Sequence, residues 1–221
     1  MEVSLYPLDS KNQKVSRLKL GAVIVGAIVI ASIVVHMRIT EHLKQRHPMR
    51  SIRQLTIWNL FITGIFLMLL PVLSASLTFV LGLAVAYTNL FVLVARSALL
   101  PFRERSAVWW TLDLMTHYFI PLTAIGILLV VWRRDGQTFG SPEGKAAIWK
   151  SLLIFLAILV AWFLFNLLLY RLNGTWAYGK RVGHVRHMKP KDGAALGGAI
   201  GGSYGLILLL AYATKSKVSP H

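Results

Sequence analysis

The run AVWWTLDLMTHYFIPLTAIGILLVVW, residues 107–132, decides the fold class of this chain. A helix needs about twenty mostly apolar residues to cross a hydrocarbon core about 30 Å thick, and this run is long enough. It also carries His117 and Asp113, and a carboxylate is costly to bury in lipid. The run therefore predicts a membrane-spanning helix whose polar side chains face protein or a water-filled cavity.

Five other apolar runs of similar length lie along the chain. Of the 221 residues, 56% are hydrophobic and 14% are charged, whereas an average soluble domain has about 25% charged residues. We therefore predict an all-α polytopic membrane bundle of about six transmembrane helices. It has a basic polar tail (1–17), a single transmembrane domain (18–213) and a short C-terminal tail (214–221). The predicted spans are residues 18–35, 55–73, 76–94, 107–132, 149–170 and 194–213, and the short link near 71–76 predicts an antiparallel hairpin.

The net charge of +16 belongs mainly to the segments between and around the apolar runs. Such cations anchor a membrane protein beside anionic headgroups, so membrane lipids are the expected partners. No basic stretch is interleaved with aromatic residues as a base-stacking surface would need, so nucleic acid is not an expected partner. The two sides of a six-span arrangement carry 14 and 10 Lys and Arg residues. This bias favours cytoplasmic first, third and fifth loops, with both termini outside.

The histidines and the absence of cysteine bear on cofactors. A chain without cysteine has no disulfide, no cysteine zinc site and no iron–sulfur cluster. His36 lies near the end of the first span and His117 lies deeper, so the two match poorly as axial haem ligands. His184 and His187 lie in a basic loop where Asp192 is the nearby carboxylate, which is too small a set for a metal site. We expect no cofactor and no metal.

Asp113 and His117 are four residues apart and therefore share one helix face. A carboxylate in that position can accept a hydrogen bond from one ring nitrogen and fix the tautomer, which would make His117 a base. Pro121 has no N–H to donate to the carbonyl of His117, so a local disturbance of the helix is predicted there. The alternative is that the polar pair only holds neighbouring helices together.

Antiparallel packing of successive spans brings further polar side chains to the same side of the membrane. Thr56 is the hydroxyl of most interest, because it lies at the membrane boundary at the start of the second span. The alternative is that its hydroxyl bonds a backbone carbonyl of its own helix. A polar pocket is predicted from the side chains that approach this side: Thr56, Asn59, Thr88, Asn89, Asp113, His117 and Asn166.

Three short motifs in this order resemble those of one family of multispan membrane proteins. They are LTIWN (55–59), MTHYFIP (115–121) and RLNGTWAYG (171–179), and together they span most of the chain. The family is the androgen-induced-protein family with its bacterial relatives named for six shared prolines. Gly179 stands where the family usually has a proline after the tyrosine.

The resemblance implies a function, since some animal members of the family are threonine-dependent hydrolases of lipid esters, in particular fatty acid esters of hydroxy fatty acids. It implies Thr56 as the nucleophile, His117 as the general base, a lipid ester as substrate and, through the bacterial relatives, a bacterial cell membrane. The role of Asp113 in orienting His117 is inferred from the spacing of the two residues and not from the resemblance. The side chains expected to contact substrate are Asn59, Trp58, Asn89, Asn166, Trp176 and Tyr178. Of these, Asn59 and Trp58 are also candidate oxyanion donors.

A non-enzymatic membrane protein is the competing interpretation. In a small proton-linked transporter or a lipid-binding protein, Asp113 and His117 would form an ionisable site instead of a catalytic one. A homo-oligomer would supply the bulk that such a small transporter lacks. In the last apolar run, the spacings Gly197 to Gly201 and Gly198 to Gly202 predict close approach of a neighbouring helix.

Overall fold

The structure, a computed structural model, describes residues 10–44, 54–99, 107–137, 139–174 and 190–215, and over these ranges the chain is helical apart from short turns. The all-α prediction is confirmed for this part of the chain. A π-helical turn, Met115–Phe119, joins two of the α-helices into one continuous rod. The α-helices are α1 (Ser10–Lys44), α2 (Leu55–Leu69), α3 (Ala75–Leu99), α4 (Ala107–Leu114), α5 (Ile120–Arg134), α6 (Pro142–Asn173) and α7 (Pro190–Lys215).

Among the described residues, four helical segments are long and apolar enough to cross a membrane. They are Arg17–Ile39 in α1, Ala75–Ser97 in α3, Trp110–Arg134 along α4, the π turn and α5, and Pro142–Leu172 in α6. The apolar helix α2 is shorter than these segments. The chain thus has the helices expected of a membrane protein.

Helix α3 lies at the centre of the bundle and packs against α2, α5, α6 and α7. Of its spanning segment, 72% is buried, compared with 22% for α1 and 11% for α6. The outer faces of α1 and α6 are apolar, with Ile24, Leu153 and Leu164 exposed. Such apolar faces suit contact with acyl chains.

Aromatic packing joins α3 to α6 and α7. Tyr87 is fully buried, and its ring centroid lies 5.8 Å from that of Phe155 in α6 and 6.1 Å from that of Tyr204 in α7. Aromatic pairs at such distances stabilise by about 0.5–1.5 kcal/mol beyond the area that they bury.

Helices α1 and α2 approach each other closely at two glycines. A Cβ on Gly26 would lie 2.7 Å from the carbonyl oxygen of Gly64, and a Cβ on Gly64 would lie 2.6 Å from the side chain of Ile30. Only residues without a Cβ permit this approach. The contact holds α1 against the helix that carries Thr56.

The link between α2 and α3 is the short antiparallel connection that the sequence predicts, since α2 ends at Leu69 and α3 begins at Ala75. Other helix ends differ from the prediction. Helix α1 begins at Ser10, inside the predicted tail, and α6 begins at Pro142 instead of residue 149. The Ser141 hydroxyl caps α6 by accepting a hydrogen bond from the Gly144 N–H at 3.0 Å, which a count of apolar residues does not register.

Two sequence interpretations need correction. The predicted third span, 76–94, leaves Arg96 outside, but Arg96 lies in the last turn of α3 and is 3% exposed, because α3 continues beyond the apolar run. The predicted close approach at Gly197 and Gly201 is also wrong within the described part of the chain. No atom comes within 4 Å of a Cβ built on either residue, because this face of α7 points away from the bundle.

Candidate active site

The structure brings Thr56 and His117 into direct contact. Thr56 is the second residue of α2, His117 is the central residue of the π turn, and Thr56 Oγ1 lies 2.9 Å from His117 Nε2. Thr56 is buried, and the His117 side chain is 14% exposed. The pair is therefore hydrogen-bonded and largely shielded from the surroundings.

The contact of Thr56 differs from those of other hydroxyls in the bundle. Thr88, Thr111 and Thr116 each donate to the carbonyl four residues earlier, at 2.8, 3.0 and 2.7 Å respectively. That is the usual arrangement for threonine in an apolar helix. The hydroxyl of Thr56 has its hydrogen bond with His117 instead, so the alternative of a bond to its own helix does not hold.

The π turn sets the position of His117. Pro121 cannot donate to the carbonyl of His117, and the preceding turn widens so that the Ile120 N–H bonds the Met115 carbonyl five residues earlier. The disturbance predicted before Pro121 is thus a π-helical turn. Such single turns often occur at functional sites.

The surroundings of His117 Nδ1 decide the tautomer of the ring. This nitrogen lies 3.0 Å from Thr116 Oγ1, 3.2 Å from the Asp113 carbonyl oxygen and 3.2 Å from Asp113 Oδ1. A carbonyl and a carboxylate can only accept, and the Thr116 hydroxyl already donates to Leu112. We therefore assign the proton to Nδ1, which leaves Nε2 as the acceptor for the Thr56 hydroxyl.

Arg96 contacts both oxygens of the Asp113 carboxylate. Its Nε lies 3.0 Å from Oδ1, and the other contact, from Nη2 to Oδ2, is 2.6 Å. Both side chains are almost fully buried, and a bidentate pair of this kind compensates each charge with good geometry. Sequence reasoning missed Arg96, although an Asp inside a span calls for a buried cation and Arg96 lies at the same end of the neighbouring helix.

After Thr56 along α2, amide and hydroxyl side chains form a hydrogen-bond network with α3. Asn59 Nδ2 donates to Asn89 Oδ1 at 2.9 Å, and Asn89 Nδ2 donates to Thr63 Oγ1 at 3.0 Å and to the Val85 carbonyl at 2.9 Å. Asn59, Thr63 and Asn89 are 0% exposed. The structure thus joins Asn59 and Asn89, two of the expected substrate-contacting residues, in one buried network between α2 and α3.

The remaining predicted substrate contacts are dispersed. The ring of Trp58 lies 5.4 Å from that of Phe165 in α6, measured between centroids. Asn166 is buried, and its side chain donates to the Trp162 carbonyl of its own helix at 2.9 Å. Trp176 and Tyr178 lie outside the described residues.

Thr56, His117 and Asp113 thus form a chain of contacts: the hydroxyl of Thr56 contacts one ring nitrogen of His117, and the carboxylate of Asp113 contacts the other. A hydroxyl bonded to an unprotonated ring nitrogen, whose other nitrogen is held by a carboxylate, is the arrangement of an activated nucleophile. Among all the residues that the structure describes, no group of three His, Asp or Glu side chains is placed to hold a metal ion.

Comparison with known proteins does not place this chain in a family. The family resemblance of the three motifs therefore stays a prediction. Neither a protein-family model, nor a curated protein, nor a solved structure matches the chain.

Proposed function

We propose that this protein is an integral membrane hydrolase of lipid esters, with Thr56 as nucleophile and His117 as general base. The observation that carries the proposal is the 2.9 Å contact between Thr56 Oγ1 and His117 Nε2. It is supported by the hydrogen-bond acceptors around Nδ1, which leave Nε2 free to take a proton.

The proposed reaction has two steps. Thr56 Oγ1 attacks the ester carbonyl while its proton passes to His117 Nε2, and the ester C–O bond then breaks as the departing alcohol takes that proton. A water molecule next attacks the acyl group on Thr56 and gives a proton to Nε2, which returns it to Oγ1. The products are an alcohol and a fatty acid, and the enzyme is restored.

Two electrostatic features support this chemistry. The positive charge that forms on His117 lies 3.2 Å from the Asp113 carboxylate, and an opposite charge at that distance stabilises it. The negative charge that develops on the substrate lies beside the first turn of α2, which begins at Leu55. The N-terminus of a helix carries roughly half a unit of positive charge and favours an oxyanion.

The membrane setting suits a lipid substrate. Leu114, Met115 and Phe119 flank His117 on the same continuous helix and are exposed apolar side chains. An acyl chain lying against them would present its ester group at the depth of Thr56. We also propose that α2 and α7 complete a bundle of about six membrane-crossing helices in a bacterial cell membrane.

Turnover of a long-chain fluorogenic ester by the protein purified in detergent tests the proposal. Thr56→Ala removes the nucleophile and should abolish turnover. His117→Ala should lower kcat by at least about 100-fold, the contribution typical of a positioned base. Thr111→Ala is the matched control, because Thr111 is exposed and bonds its own helix. Thr56→Ala and His117→Ala enzymes that both turn over ester at the wild-type rate would disprove the proposal.

A proton-linked site for transport or lipid binding is the second candidate, because Arg96, Asp113 and His117 gather three ionisable groups at a membrane-spanning helix. It predicts pH-dependent flux in vesicles and no covalent adduct on Thr56. Ester turnover that depends on Thr56, without such flux, would favour the hydrolase.

A further inference from the structure

Arg96 has no role in the reaction proposed above, although it lies next to the reacting groups. Its guanidinium makes two contacts with Asp113, and Asp113 Oδ1, which accepts from Arg96 Nε, is also the oxygen 3.2 Å from His117 Nδ1. One carboxylate thus joins the last turn of α3 to the base. Any change in the charge or orientation of that carboxylate would reach the imidazole directly.

A carboxylate and a carboxylic acid have opposite effects on the ring. An ionised Asp113 can only accept and therefore favours the proton on Nδ1, which leaves Nε2 free for Thr56. A protonated Asp113 can donate to Nδ1 and so favours the tautomer with the proton on Nε2. That tautomer cannot accept the Thr56 proton. A buried carboxylate without a cation favours its protonated form, so the partner of Asp113 shifts the balance between the tautomers. The Asp113 backbone carbonyl, 3.2 Å from Nδ1, favours the proton on Nδ1 in either case.

We propose that Arg96 is a positioning residue that acts through Asp113: it keeps the carboxylate ionised and aimed, and thereby holds His117 as the Nδ1–H tautomer with Nε2 toward Thr56. The effect on turnover rests on the proposed hydrolase function. The effect on the ring is a property of the folded protein alone.

The two-pronged geometry accounts for arginine at this position. Nε and Nη2 contact different carboxylate oxygens, so the plane of the carboxylate is fixed as well as its charge. A lysine supplies the charge without the fork. Arg96→Lys should therefore keep part of the effect, and Arg96→Met should lose it.

Ser97 provides the matched control. Its hydroxyl lies 3.0 Å from the Tyr118 hydroxyl, so it joins the same end of α3 to the π turn without touching the His117 ring. Ser97→Ala removes one polar contact between these elements and leaves the charges around His117 unchanged. It separates a general structural tie from an effect on the imidazole.

The first test is steady-state turnover of the fluorogenic ester. Arg96→Met should lower kcat at least about tenfold with KM nearly unchanged, Arg96→Lys should recover part of the loss, and Ser97→Ala should stay close to wild type. The double variant Arg96→Met/Asp113→Leu leaves no lone buried charge, which guards against misfolding. It should be as slow as Arg96→Met. A loss in Ser97→Ala equal to that in Arg96→Met would overturn the proposal.

The second test is nitrogen-15 NMR of histidine-labelled protein, with the His117 ring assigned by comparison with His117→Ala. Wild type should have its proton on Nδ1, and the Nε2–H fraction should rise in Arg96→Met. An unchanged tautomer in Arg96→Met, or a wild-type ring already protonated at Nε2, would overturn the proposal. If the tautomer shifts while no variant, including wild type, hydrolyses ester, the hydrolase assignment fails and the role of Arg96 stands.

Discussion

Deleting Phe119 tests whether the π turn sets the contact between Thr56 and His117. The π turn, Met115–Phe119, holds one residue more than an α-helical path would, and Phe119 is 61% exposed, so its loss removes little packing. We expect the deletion to restore an α-helix. Because α5 is fixed in the core through Ala124 and Leu128, the chain before the deletion should rotate relative to it.

The size of the displacement follows from helix geometry. One residue corresponds to a rotation of about 100° and a shift of about 1.5 Å, and a side chain about 5.5 Å from the helix axis then moves by about 8 Å. His117 Nε2 now lies 2.9 Å from Thr56 Oγ1. A displacement of that size abolishes the hydrogen bond, which requires no more than about 3.2 Å.

Ester turnover and covalent labelling of purified protein measure the consequence, with circular dichroism and size-exclusion chromatography as controls for folding. Deletion of Phe119 should lower both rates by at least about 100-fold, since the base no longer reaches the nucleophile. Deletion of Met115 is the matched control. It also shortens the π turn, but it lies before His117, so Thr56 keeps its contact with His117 while Asp113 rotates away. Its turnover should therefore fall, because His117 loses its orienting carboxylate, but by less than in the Phe119 deletion. A folded protein without Phe119 that hydrolyses ester at the wild-type rate would refute the reasoning.

Two further predictions concern stability. Arg96→Met should destabilise the protein by about 3–5 kcal/mol because it leaves the buried Asp113 carboxyl without its partner cation, whereas Arg96→Met/Asp113→Leu should cost far less. Thermal unfolding in detergent measures both, and equal losses would contradict the buried ion pair. Gly26→Ala should cost about 1–3 kcal/mol, since its Cβ would lie 2.7 Å from the Gly64 carbonyl oxygen. In the same assay, Gly126→Ala, which meets nothing within 4 Å, should leave stability unchanged or raise it by up to about 1 kcal/mol.

Much of the helical architecture follows from the sequence, because crossing a membrane requires long apolar runs and such runs are easy to recognise. The helix ends do not follow as directly. Helix α6 starts at Pro142, before its apolar run, because Ser141 caps it and Pro142 fits the first turn. The end of α3 shows the same limit: the helix continues past the point where its sequence stops being apolar, so the apolar run alone leaves Arg96 outside the predicted span.

The site illustrates what spacing can and cannot predict. Antiparallel packing predicts that the start of the second span and the start of the fourth, with Thr56 and His117, lie on the same side of the membrane, and the two side chains are in contact. The π turn does not follow, because Pro121 predicts only that a hydrogen bond is lost and not how the helix adjusts. The partnership of Asn59 with Asn89 depends on the relative rotation of two helices, which periodicity alone leaves open.

Mapping the residue labelled by a lipid-like fluorophosphonate is the most direct test of the central claim that His117 activates Thr56. Mass spectrometry of peptides from the wild-type protein should find the adduct on Thr56, and Thr56→Ala should not be labelled. His117→Ala should label at least about 100-fold more slowly. An adduct on another residue, or labelling of Thr56 at the wild-type rate in His117→Ala, would contradict the claim.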